Sequence, residues 1–439
     1  MPAAAAPFTL HSAVGAPDDL KLSGSVRMRY ENVSGQTRPG VDDDTHLYSV
    51  RTTLFAEYTR GPVRIGAEIY DSRAYGGKPG SGLTTGEVNV LEPVQAYVAL
   101  DLKAPFGPGS SASVQVGRMM LNLGSRRLVA ADDYRNTTQG STGVRLDAKT
   151  AGGLTGTFIF VAPQSRRPDD QPALLNNRQA IDRESFDLVL WGGLLAKRKA
   201  IAGLDLDTGF FALDERDTPR LATRNRRLRT VSLRAMRNPA PGRFDVEVEG
   251  GYQFGSIAAS TAPTAPRLDV SAYFLHADAG YQFDSAWKPR VSIEYDLASG
   301  DDGKGSYNRF DTIYGMRRAD FAPGGIFQII GRSNMSTPGV RIEVAPSPRW
   351  DGFVSYRGYW LASATDSFST SGVRDASGRA GSYAGQGMEG RVRYWIVPNA
   401  LRFEVDGAFI AKGRFLNTAP NAPRTGDTSY ISLNLTTLF

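Results

Sequence analysis

No cysteine occurs anywhere in the chain, which removes disulfides, thiolate metal sites and cysteine nucleophiles together. Histidine is almost as scarce. His11, His46 and His276 are the only three, and none stands in a zinc or metalloprotease spacing. No apolar run approaches the ~18 residues of a membrane-crossing helix, and the mean hydropathy is −0.30. Long stretches of helical periodicity are also missing. No shift in composition and no long Pro/Ser linker divides the 439 residues into domains. The net charge of +6 is modest, and basic residues do not interleave with stacking aromatics, so nucleic-acid binding is not expected. The stretch GDDGKGS, 300–306, misses the phosphate-loop spacing. It reads as a loop tip, with Asp301 and Asp302 as candidates for weak cation binding. Carboxylates two apart on a strand, such as Glu247 and Glu249, read as a wet face rather than a hydrolase dyad. Neither an enzymatic activity nor a cofactor is expected.

What the chain has is alternation. In KLSGSVRMRYE, 21–31, Leu22, Gly24, Val26, Met28 and Tyr30 oppose Lys21, Arg27, Arg29 and Glu31. In LYSVRTTLFAEY, 47–58, Val50, Leu54 and Tyr58 oppose Arg51 and Glu57. PVRIGAEIY, 62–70, sets Val63, Ile65 and Ile69 against Arg64 and Glu68, and Arg60-Gly61-Pro62 joins it to the preceding strand as a hairpin. The same pattern recurs near 91–102, 112–122, 142–149, 152–161, 184–196, 201–213, 228–237 and 243–255. It continues near 270–284, 288–299, 338–345, 350–363, 386–397, 400–412 and 428–439, giving eighteen strands in all. Links alternate between tight (Gly152-Gly153, Pro398-Asn399) and long, as in outer-membrane barrels with short periplasmic turns and long extracellular loops.

Alternation alone does not separate a barrel from a soluble sandwich, because both hide one face. Aromatic residues at strand ends (Tyr30, Tyr58, Tyr281, Phe283, Tyr295, Trp360, Phe439) match interfacial girdles. Eighteen long strands in a sandwich would also leave exposed edges that closure removes. The expected fold is therefore all-β, a single transmembrane antiparallel β-barrel over residues 21–439 in the bacterial outer membrane, preceded by a periplasmic extension over 1–20. The opening MPAAAAPFTLHSAVGAP has no basic segment and no long apolar core, so it is expected to begin a mature chain. The final YISLNLTTLF resembles the closing strand of outer-membrane porins, whose terminal aromatic is read by the assembly machinery.

With oily residues toward lipid, the lumen face carries both charge signs. Acidic residues crowd 245–249 and 294–296, and arginines cluster at Arg27 and Arg29, at Arg391 and Arg393, and in the loop near 118–135. If strand 386–397 lies near the closing seam, Arg391 and Arg393 approach Arg27, Arg29 and Arg51. An arginine-lined wall attracts anions, since the guanidinium fork grips carboxylates bidentately and stays charged. The other reading of such charges is a solvated, cross-paired lining.

The segment GRMMLNLGSRRLVAADDYRNTTQGSTGVRLD, 117–147, resembles the alginate-export porin family through Gly117, Arg118, Gly124, Arg127, Leu128, Asp133, Arg135, Asn136, Gly143, Val144 and Arg145. YDLASGDDGKGSYNRFDTIYG, VRIEVAPSPRW and MEGRVRYWIVPNALRFEVDGAFIAKGRF extend the match over most of the chain. Tyr134 stands where the family has Trp, and Gly140-Ser141-Thr142 where Phe-Asp is usual. The resemblance implies an eighteen-stranded monomeric channel that passes an anionic polysaccharide through an arginine constriction. By position the candidates are Arg51, Arg118, Arg127, Arg135, Arg145, Arg391 and Arg393, with Asp133, Asn136 and Glu389 orienting them. The expected partners are outer-membrane lipid, the assembly machinery and an alginate-like polyuronate or smaller anionic solute. The alternatives are an uptake porin for small solutes and a sealed barrel serving as an enzyme or adhesion scaffold.

Overall fold

β-Branched and aromatic residues at alternate positions make extended chain the favourable state, and strands satisfy their backbone within a bilayer only by closure; among the described residues no helix is long and apolar enough to cross one. A computed structural model describes residues 8–316, 320–321 and 326–439. Its strands are β1 (Leu20–Ser34), β2 (Thr45–Arg60), β3 (Val63–Tyr75), β4 (Asn89–Lys103), β5 (Ser111–Met120) and β6 (Gly140–Lys149). They continue as β7 (Leu154–Pro163), β8 (Leu188–Ile201), β9 (Leu204–Glu215), β10 (Arg227–Arg237), β11 (Arg243–Ala258) and β12 (Arg267–Gln282). The last six are β13 (Arg290–Ala298), β14 (Met335–Ser347), β15 (Trp350–Trp360), β16 (Tyr383–Val397), β17 (Leu401–Lys412) and β18 (Thr428–Leu438). Each pairs antiparallel with its sequence neighbours in one 18-stranded sheet, and β1 pairs with β18 to close it. At the seam, Gly24 donates its N–H to Phe439 O (2.7 Å) and Phe439 donates back to Gly24 O (3.0 Å). A Cβ on Gly24 would lie 2.4 Å from the Phe439 ring, so any larger residue there would displace that ring from the seam.

The sidedness is the reverse of a soluble protein. Met28, Ile65, Val98, Ile293, Val392 and Leu433 are exposed on the outer face, whereas Arg29 is 3 % exposed, Asp296 0 % and Arg357 1 % on the inner one. Apolar surface this extensive on the outside is matched by the hydrocarbon of a membrane. Tight turns gather at one rim and long loops at the other, which the porin arrangement makes extracellular. Of the expected 1–20 extension, Phe8 onward is described and holds one helical turn, Leu10–Ala13; residues 1–7 lie outside the described residues. The strand expected from 184 begins instead at Leu188, because Leu188 N–H turns back to Ser185 O (3.0 Å).

Candidate functional site

Two long loops fold into the barrel rather than away from it. One follows β5 (residues 121–139) and the other follows β13 (299–334). Leu121, Leu123, Leu128 and Val129 of the first and Phe310, Phe321, Ile326 and Ile330 of the second are buried. Burial of such apolar side chains away from the wet lumen is what draws the loops together. Their main chains then pair. Ala130 donates to Tyr314 O (2.9 Å), Tyr314 to Leu128 O (3.0 Å) and Met316 to Arg126 O (3.0 Å). Leaving these amides unpaired beside buried apolar groups would be costly.

The first loop is pinned to the wall by groups that the sequence places on the lumen face. Arg27 donates to Asp133 O (3.2 Å) and Arg135 O (2.7 Å), and Arg51 to the same two carbonyls (3.1 Å each). The Asn136 amide donates to Val50 O, Arg73 O and Glu87 O, and Ser72 Oγ donates to Asn136 O (2.6 Å). The Tyr134 hydroxyl lies 2.7 Å from that of Tyr430, which donates to Glu31 Oε1 (2.8 Å).

Beneath residues 133–134 lies a recess of ≈ 210 Å³ lined by Arg27, Arg29, Arg51, Arg391, Arg393 and Arg402, with Asp133, Tyr134, Glu404, Asn434 and Thr436. Its arginines are set by aromatic faces and by carboxylates at its edge, Arg402 approaching Glu404 at 3.6 Å and Arg29 approaching Glu31 at 4.0 Å. Arg29 stacks 3.9 Å from the Tyr134 ring centroid, Arg51 5.3 Å from Tyr70, Arg391 5.2 Å from Phe353 and Arg402 5.4 Å from Trp395. An aromatic face orients a guanidinium without cancelling its charge. Arg29 Nε also donates to Asn434 Oδ1. Arg393 pairs with Asp351 at 2.9 Å and Arg391 reaches it at 3.7 Å. The Nε groups of Arg27, Arg51 and Arg402 are buried with no hydrogen-bond partner among the described residues. Such donors favour an acceptor group in the recess.

The opposite wall, β10 to β15, is built differently. Arg290 pairs with Asp245, Asp278 and Glu343, Arg234 with Glu247 and Asp207, and Arg357 with Glu294 and Asp296. Charge there is cancelled locally.

The candidate residues therefore divide. Arg27, Arg29, Arg51, Asp133, Arg391 and Arg393 meet in the recess. Arg127 lies across the lumen, bound to Glu247, to Glu249 (2.5 Å) and to Asp320 (2.7 Å). Arg118 on β5 joins Glu92 (2.6 Å) to Glu184 (2.5 Å), and Arg145 on β6 pairs with Asp147 at 2.7 Å. Arg135 lends its carbonyl to the recess, but its side chain pairs with Asp132 (3.0 Å) beside a second cavity that also contains Arg166 and Arg332. Asn136 is a clamp on the loop, and Glu389 is buried opposite Ser355 on β15. Arg402 and Tyr134 belong to the recess although sequence reasoning left them off the candidate set. The alternation at Arg402 was a usable signal.

His276 and the carboxylates of Asp296 and Asp320 form a buried group whose donor atoms lie within 4.8 Å. A cation is disfavoured there, since Arg127 donates to Asp320 while Arg332 and Arg357 donate to Asp296. Asp301 and Asp302 accept from their own loop, Asp301 from Asn308 N (3.2 Å) and Asp302 from Lys304 N (2.9 Å).

In the loop between β7 and β8, burial and the neighbouring Glu92 push the Asp182 carboxyl up to about 7. The folded loop thus holds a proton that the unfolded chain releases near pH ~4. Its contribution is full below that pH and is lost as pH rises through about 7. Limited proteolysis of residues 164–187 is expected to accelerate between pH ~5 and ~8, and Asp182→Asn is expected to flatten that dependence. A wild-type cleavage rate that falls over the range contradicts the assignment.

A family model described as alginate export matches residues 18–428. No curated protein sequence matches the chain. Among solved structures, Pseudomonas aeruginosa OccK2 (OpdF) in complex with glucuronate superposes with a TM-score of 0.60 at 14% identity, covering 96% of each chain. Pseudomonas aeruginosa OccK9 (OpdG) gives 0.61 at 14%, covering 96% of this chain and 98% of its own. Acinetobacter baumannii OccAB3 gives 0.61 at 12%, covering 96% and 100%. At these identities the likeness is one of fold.

Proposed function

Because the chain belongs to the alginate-export family of outer-membrane barrels, we propose that it is a passive channel for anionic saccharides, with the recess at Arg27, Arg29, Arg51, Arg391, Arg393 and Arg402 as its selective point. The observation that carries this reading is the asymmetry of the lumen. On one wall Arg234, Arg290 and Arg357 each pair with two or three carboxylates, while six guanidinium groups share the recess with two lining carboxylates, Asp133 and Glu404, and four of them lie against aromatic rings. A carboxylate entering from water exchanges hydration for these donors, and a wide wet lumen keeps that exchange reversible. The finer reading is a short uronate rather than a polymer. The recess of ≈ 210 Å³ is below the ~300 Å³ at which drug-sized pockets begin, and two loops cross the lumen above it. The glucuronate complex of a protein with the same fold supports a sugar acid as the solute class. On this reading the barrel acts as a monomer and carries out no catalysis.

Planar-bilayer recordings test it. The reversal potential in a salt gradient is expected to favour the anion, and glucuronate or a short oligouronate is expected to interrupt the current. A neutral oligosaccharide of equal length is expected to leave it unbroken. A reversal potential of zero with equal interruption by both sugars overturns the proposal.

A further inference from the structure

The stretch from Thr218 to Phe244 contains Arg220, Arg224, Arg226, Arg227, Arg229, Arg234, Arg237 and Arg243 and no acidic residue. The channel reading uses none of its outward members. On β10, Leu228 and Thr230 are buried inward, so Arg227 and Arg229 point outward with Val231 and Leu233, at the end of the strand nearest the long loops. Arg227 faces Asp214 on β9 and Ser256 on β11. Arg267 at the matching end of β12 donates to Ser256 Oγ (2.9 Å) and Asn225 O (3.2 Å). Arg229 pairs with Asp214 (2.9 Å) and stacks over Trp191.

Ion pairs in this sector use Arg216, Arg226 and Arg229. Arg227 and Arg267 are exposed and take part in none among the described residues, whereas Arg220 lines a cavity against the β7–β8 loop with Asp182, Glu184 and Asp187. The Asp269 carboxylate is exposed nearby, so the patch is basic on balance rather than uniformly so. Directly below it, toward the membrane middle, Val231, Leu233, Tyr252, Phe254 and Tyr273 are exposed on the same outer face. Around the rest of the rim, β13 to β18 present Leu297, Ser336, Trp360, Gln386, Ala411 and Ser429 at the corresponding outward positions. Along β9 to β18 the outward guanidinium groups at this height lie in one sector, and the outward Arg73 on β3 is paired with Asp71 (3.0 Å).

We propose that the outer face of β9 to β12 binds a phosphorylated glycolipid of the outer leaflet, with its phosphates on Arg227 and Arg267 and its acyl chains on the apolar surface below. Charge at headgroup height and an apolar field beneath it match such a lipid in both respects, and arginine grips phosphate through paired N–H donors. The site lies outside the barrel and is independent of what passes through it.

The full-length protein in detergent, titrated with bisphosphorylated lipid A and read by native mass spectrometry, tests the site. Arg227→Gln/Arg267→Gln is expected to weaken retention by at least about tenfold. Dephosphorylated lipid A is expected to bind the variant and the wild type alike. Lys78→Gln/Lys304→Gln removes two charges from other loops and is expected to retain lipid A normally. Heat-modified gel mobility checks that each barrel is folded. Retention unchanged in the double variant, or equally reduced in the lysine control, overturns the proposal. So does a double variant that keeps its lipid A and loses anion current, which makes the patch part of the entry vestibule.

Discussion

Replacing Arg391 and Arg393 with glutamine is expected to abolish most of the channel's anion preference. Both side chains line the recess, and both reach Asp351, so the double variant removes two positive charges and releases one negative charge beside them. A unit charge ~6 Å from a permeating ion contributes ~0.7 kcal/mol in water. Two such charges act on anions and cations with opposite sign, and screening at ordinary salt removes part of the sum. The anion-to-cation permeability ratio is expected to fall about tenfold, toward unity or below. Reversal potentials in a salt gradient measure it directly. Arg145→Gln provides the contrast, because that side chain is held by Asp147 on another wall and its loss is expected to leave selectivity nearly unchanged. Equal selectivity in the double variant and the wild type removes the recess from the account.

Replacing Arg127 with methionine is expected to give the largest loss of stability. This side chain leaves the first inward loop and is buried against Glu247, Glu249 and Asp320. Burial opposes ionisation of Asp320, yet Arg127, His276 and Arg332 hold its carboxyl well below the ordinary range. That stabilisation is complete above the ordinary carboxylate range and is lost only as pH falls through the lower folded value. Removing one partner from a buried charge group costs about 3–5 kcal/mol, since the others remain desolvated. The unfolding midpoint in urea is expected to drop accordingly, and the loop to detach, raising open-channel conductance and noise. A variant as stable as the wild type, with unchanged conductance, contradicts the bracing role.

Most of the barrel was legible because its physical requirement is simple. Alternation over a tilted strand's length recurs eighteen times, and one residue of slip would bring Arg29 to the lipid and Tyr30 to the lumen. The seam was legible as well, which is why Arg391 and Arg393 were expected beside Arg27, Arg29 and Arg51. The loops were not. Arg118, Arg127, Arg135 and Arg145 are near one another in sequence, but the fold sends them to different walls, and no local pattern states the direction of a loop. A signal for inward folding was present in the apolar run Ile326-Phe327-Gln328-Ile329-Ile330, which is out of place in a loop facing water. Alternation places Tyr70 on the lumen face with Arg64 and Glu68, but nothing local in the sequence marks it, Phe353 or Trp395 as the rings that orient the arginines. Tyr134 registered only as a departure from a family pattern, yet its ring carries Arg29 and its hydroxyl reaches the closing strand.

The paired inward loops have a mechanical consequence. A wide hoop of strands is soft to flattening, since each hydrogen-bonded neighbour pivots slightly on the next. Here a crosspiece is tied at one end to β1 and β2 by Arg27 and Arg51, and at the other to β11 and β13 by Arg127 and Arg332. Lateral squeeze from the bilayer is therefore carried across the diameter as tension and compression in these ties. The aperture keeps its shape when lipid packing changes, and the spacing of the guanidinium groups stays fixed with it.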